Sequence, residues 1–124
     1  MAWQESPGPS RSRHPGASVR RNGQLGFNSG AVTRYELDQF GFALLYYDEE
    51  NRRIGVKLME EKVPRSFTFV HRTGDAYISA QSFFEHFRIP LPQETTKYDL
   101  VKEGEMLVIN LTAPRVGRNS RGEN

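Results

Sequence analysis

The sequence predicts a mainly β fold with two short helices (α+β), a small β-barrel built from two internal repeats that interleave. Three observations predict it. The middle of the 124-residue chain is written twice, at 18–58 and 66–111. Each copy reads strand, glycine turn, strand, short helix, long hairpin. Neither copy is long enough to bury a core alone, so the two must close one core between them.

In the first copy Val19-Arg20-Arg21 opens a strand and Asn22-Gly23 follows as a hairpin turn, since both residues tolerate positive φ. Asn28 has the short polar side chain of a helix N-cap. Ala31, Val32, Tyr35 and Leu37 then supply a brief helical spacing. Phe42 to Tyr47 is a strand, with Leu44 and Tyr46 read as inward and Tyr47 as outward. Asp48 to Arg52 turn the chain, and Ile54, Val56 and Leu58 alternate inward. Gly55, inside that strand, signals a bulge or a close backbone approach.

The second copy repeats the order. Thr73-Gly74-Asp75 is its turn and Ser79 its expected helix cap. Ala80, Phe83, Phe84 and Phe87 form one apolar face at helical spacing, with Phe83 and Phe87 as its anchors. Tyr98 to Val101, a turn at Lys102-Glu103-Gly104-Glu105, and the alternation Leu107, Ile109, Leu111 complete the unit. Met106 and Val108 are apolar as well, so the last strand is expected to be covered on both faces. The predicted core is Phe27, Leu44, Ile54, Val56, Ile78, Phe83, Phe87, Leu107 and Ile109.

Composition sets the rest of the organisation. Residues 1–17 are rich in Pro, Gly and Ser, and 112–124 hold three arginines and little to bury. Both read as disordered basic tails flanking a single domain at 18–111. With no cysteine, disulfides and thiolate metal sites are excluded. No apolar run reaches the ~20 residues of a membrane span. No secretion signal is evident, so a cytoplasmic protein without membrane contact is expected. The net charge of +2 is unevenly spread. The first repeat carries six bases against five acids, the second four against six, and the tails are basic.

This order of strand, glycine turn, strand, capped helix and hairpin resembles the AbrB/SpoVT/MazE family of swapped-hairpin barrels, with two tandem units on one chain. The resemblance covers residues 18–111. It implies a bacterial DNA-binding regulator that contacts duplex DNA through arginines on the first strand, after the turn glycine, and on the helix. Arg20 and Arg34 occupy two of those positions. Gln24 follows the turn glycine and Thr33 precedes Arg34, where the family carries further cations. In the second unit His71, Asp75 and Glu85 stand at the corresponding places, so a symmetric grip is not expected. An antitoxin of the MazE kind is disfavoured, because Thr112 to Asn124 lack an apolar segment to wrap a toxin. Tyr47-Asp48 with Ile54-Gly55-Val56-Lys57 also resemble small bacterial and mobile-element proteins, a likeness that brings no function.

The candidate nucleic-acid-binding residues are therefore Arg20, Arg21 and Arg34, with Arg52 and Arg53 adding charge on the neighbouring hairpin turn. Tyr46-Tyr47 has the chemistry to stack on bases, but one core and one surface tyrosine is the simpler reading. His71 and His86 lack metal-ligand spacing, and no metal or other cofactor is expected. Asp48-Glu49-Glu50 and Glu60-Glu61 read as solvated loop charges. No Ser/His/Asp order, phosphate-binding loop or dinucleotide fingerprint appears, so neither an enzyme nor a small-molecule substrate is expected. Two functions stay open. One is the DNA-binding regulator. The other is an accessory module on the same scaffold that contacts a protein partner or another copy of itself.

Overall fold

The structure is a computed structural model that describes residues 14–115 together with Trp3. Most of both expected tails lies outside these residues. Eight strands form it: β1 (Gly16–Val19), β2 (Gln24–Phe27), β3 (Phe42–Asp48), β4 (Arg53–Met59), β5 (Phe67–Arg72), β6 (Asp75–Ser79), β7 (Thr96–Glu103) and β8 (Met106–Pro114). Helix α1 (Ser29–Tyr35) and a 3₁₀ turn (Leu37–Gln39) follow β2, and α2 (Gln81–His86) follows β6. The barrel thus takes in Gly16, Ala17 and Thr112 to Pro114, residues that composition alone assigns to the tails. Among the described residues no helix is long and apolar enough to cross a membrane.

The strands close in the order β1-β2-β6-β5-β3-β4-β8-β7, every neighbouring pair antiparallel. The first repeat supplies hairpins β1-β2 and β3-β4, the second β5-β6 and β7-β8, and the four alternate around the ring. Exchanging the two repeats leaves the ring order unchanged. The β2-β6 pairing maps onto itself under that exchange, centred on Gly26 opposite Tyr77. Each repeat leaves gaps that only the other fills, and the ring closes, with β3 paired to β5 through Phe42 and Ala43 alone.

The core is apolar throughout. Leu25, Ile54, Val56, Ile78, Leu107 and Ile109 have at most 1% of their surface exposed, with Phe27 and Phe84 beside them, and no polar residue is buried among the described residues. Three expectations about facing are corrected. Leu44 is half-buried and Tyr46 is exposed, whereas Ala43, Leu45 and Tyr47 face inward. The reason is register: Leu45 pairs with Val56 and Tyr47 with Ile54, and directly paired residues share a face. Phe87 is 41% exposed, because α2 ends at His86 and leaves Phe87 at its C-cap. Phe84 takes the buried place instead.

The turns and caps account for the rest. Gly23 and Gly74 both take positive φ, as the hairpins require. The first hairpin has a three-residue loop, Arg21-Asn22-Gly23, in which Asn22 stays at negative φ. Asn28 caps α1, accepting from the Ala31 N–H at 2.8 Å. Ser79 does not cap α2. It remains the last residue of β6, and Ala80 holds the cap position without a side-chain bond. Gly55 marks a close approach rather than a bulge, since a Cβ there would lie 2.8 Å from Met106 Sδ.

Asn28 does more than cap. Its Oδ1 also accepts from the Gly16 N–H at 3.0 Å, and its Nδ2 donates to the His14 carbonyl at 3.0 Å. It therefore ties the start of β1 to the start of α1. Asn28→Ala is expected to cost about 2 kcal/mol, the upper end for a cap. Asn28→Asp, which keeps the acceptor alone, should lose less than half of that. Urea unfolding curves that rank the two variants the other way would contradict the three-bond account.

Candidate nucleic-acid interface

Arg20 sits where β1 enters its hairpin. Its Nη1 donates to Gln24 Oε1 at 2.8 Å, which holds the guanidinium against the sheet. The side chain lies across Gly26, where a Cβ would come within 2.7 Å of Arg20 Nη2 and 2.6 Å of Ser18 Oγ. The glycine is what lets the arginine lie flat. Beyond it, the Tyr77 ring has the Arg20 guanidinium 5.9 Å from its centroid and that of Arg72 at 4.8 Å. Asp75 pairs with Arg72 at 3.5 Å.

A groove of about 200 Å³ opens beside Arg20, lined by Gly16, Ser18, Asn28, Lys97 and Arg115 and by the carboxylate of Asp75. Lys97 on β7 is placed opposite Ser18 on β1. Arg115 donates its backbone N–H to the Lys97 carbonyl at 2.7 Å and pairs with Asp99 at 2.6 Å. Neither composition nor the family resemblance singles out Lys97 or Arg115. The outward alternation Lys97, Asp99, Val101, Glu103 is a usable signal for Lys97, but its neighbour β1 is not legible from it. Arg115 falls in the region that reads as tail.

Arg52 and Arg53 occupy the β3-β4 turn and its exit. With Glu50, Asn51, Asn110 and Thr112 they line an open hollow of about 540 Å³. Arg53 is neutralised by Asp48 at 3.1 Å and Glu103 at 3.4 Å. Hydrogen bonds from Asn51, and secondarily Arg53, hold the Asp48 carboxyl below its ordinary value. Arg52 takes positive φ, and its carbonyl accepts from the Leu111 N–H at 2.9 Å. Burial pushes the Tyr98 phenol above its ordinary value, and the Arg52 charge pulls it the other way.

Strands β1, β7, β8 and β4 are consecutive in the ring. Arg20, Lys97, the Asn110-Thr112 segment and Arg52-Arg53 lie on these four strands, a band of mixed charge in which Asp99 pairs with Arg115 and Glu103 with Arg53. Arg20, Lys97 and Arg52 have no carboxylate within 4.0 Å among the described residues. Arg21 is exposed at the tip of the first hairpin.

Arg34 is not brought to the band. It lies in the last turn of α1, and α1 begins at the end of β2 opposite Arg20. Its neighbours Tyr35 and Glu36 line a hollow with Lys102, Gly104 and Glu105, at the other end of β7 from Lys97. His71 is held structurally, its Nε2 2.8 Å from the Phe40 carbonyl oxygen and its ring stacked on Phe69. Among the described residues no three His, Asp or Glu side chains converge as a metal site would require. Comparison with protein-family models, curated proteins and solved structures finds no match.

Proposed function

We propose that this chain is a nucleic-acid-binding protein that holds a phosphate backbone along one side of its barrel. The observation that carries the reading is the set of three cations, Arg20, Lys97 and Arg52, without carboxylate partners among the described residues and spread over consecutive strands. A cation already paired gains little from a phosphate, whereas an unpaired one releases counterions when a phosphate replaces them. The alternating hairpins support the resemblance to the AbrB/SpoVT/MazE family at the level of the barrel alone. The family's second arm is not supported, because Asp75 and Glu85 replace cations and Arg34 stands apart.

The test is fluorescence anisotropy with labelled oligonucleotides over a salt series. Arg20→Ala with Lys97→Ala is expected to weaken binding at least tenfold at low salt and to flatten the log–log salt slope by roughly 1.5 to 2. Arg34→Ala should leave both unchanged. Micromolar wild-type protein that binds neither duplex nor single strand at low salt overturns the reading. The accessory-module reading would then stand, on the exposed Tyr46 and Val101 of the outer sheet face.

A further inference from the structure

The band does not end at its cations. Tyr46 on β3 is 46% exposed and points outward beside Gly55, opposite which it is paired. It shares a shallow hollow with Arg53, Met106 and Val108. At the other end Tyr77 on β6 points outward between the Arg20 and Arg72 guanidinium groups. Around the ring, the outer face runs Tyr77, Arg20, Lys97, Tyr46, with Arg20 and Lys97 as its cations unpaired among the described residues; Arg72 and Arg53 lie along it already paired with Asp75 and with Asp48 and Glu103. Cations and aromatic rings are thus interspersed along one path.

That path is curved. From β6 to β3 it passes through β2, β1, β7, β8 and β4, six of the eight steps of a closed barrel. A duplex is straight over tens of base pairs, its persistence length being about 150 bp. It touches such a cylinder along a tangent and meets one part of the path at a time. Its bases are also stacked inside, where they offer nothing to an exposed ring. A single strand bends within a few nucleotides, places phosphates on the cations and unstacked bases on the rings.

We infer that the nucleic acid held by this band is single-stranded, wrapped around the barrel with bases stacked on Tyr46 and on the Tyr77-arginine face. The inference rests on the nucleic-acid-binding reading and names its ligand class. Both single-stranded DNA and single-stranded RNA have this chemistry.

The full chain should be titrated against labelled oligo(dT) and oligo(U) of about 20 nucleotides and against a mixed 20-bp duplex, at one salt concentration. At least one single strand is expected to bind about tenfold or more tightly than the duplex. The stronger of the two identifies DNA or RNA as the source. Tyr46→Ala should weaken single-strand binding about fivefold or more, the scale of one lost base stack. Tyr46→Phe should retain it, and duplex affinity should not respond to either change. Tyr46 is outside the core, so equal thermal stability of the variants is expected and confirms that folding is not what changed. A duplex that binds as tightly as both single strands, or single-strand affinity indifferent to Tyr46→Ala, overturns the inference while leaving phosphate binding intact. Absence of binding to all three probes overturns both.

Discussion

Phe84→Ala is expected to remove about 3–5 kcal/mol, a large part of the stability of a domain this size. The ring is 1% exposed and is among the largest fully buried side chains of the barrel. It stands edge-on to Phe83, centroids 5.7 Å apart, and its carbonyl accepts from the N–H of the buried Ile89. Truncation would leave a cavity beneath a six-residue helix with no side-chain cap to hold it. Phe87, 41% exposed and resting on Tyr47 and Phe83, should lose only about 1–2 kcal/mol on the same change. Chemical denaturation of the two variants checks the pair. Equal losses would mean that α2 is rotated from the face described.

The second large effect is expected at Gly23. Its φ of +87° disfavours any L side chain, and a Cβ would lie 2.8 Å from Gln81 Cα. That neighbour is backbone at the start of α2, docked on the turn by the Ala80 N–H bond to the Gly23 carbonyl at 3.0 Å. Gly23→Ala should therefore combine a left-handed penalty of about 1–2 kcal/mol with an overpacking cost of about 1–3. Gly74 is the internal control. Its φ is +85°, yet nothing lies within 4 Å of a Cβ there. Gly74→Ala should show the conformational penalty alone. A thermal shift for Gly74→Ala as large as that for Gly23→Ala would remove the contact from the account.

The architecture was legible because turns leave strong marks. Gly23 and Gly74 punctuate both copies, and the alternation after Arg53 has period two with little ambiguity. Facing was harder where the sequence is apolar on both sides. Phe42 to Tyr47 offers no charged residue in six positions, so its own pattern is silent on register, and only the pairing with β4 decides that Leu45 and Tyr47 go in. Phe83 and Phe84 of α2 and Phe87 at its C-cap fall on a helix too short for periodicity to choose among them. The interface was half legible. Arg20 follows from a motif, and Arg52 and Arg53 from a basic turn. Lys97 joins them only because β1 and β7, far apart in sequence, are neighbours in the ring.

The exchange of repeats that preserves the ring order has one more consequence. In a barrel made by two identical chains, every surface substitution is duplicated, and a basic face on one side obliges an identical one on the other. Here each half is encoded separately. Arg20 can stand in one hairpin while His71 and Asp75 occupy the other, and the shared core does not feel the difference. The molecule keeps the packing of a symmetric pair and is released from symmetry at its surface, so it presents its band once per molecule rather than twice.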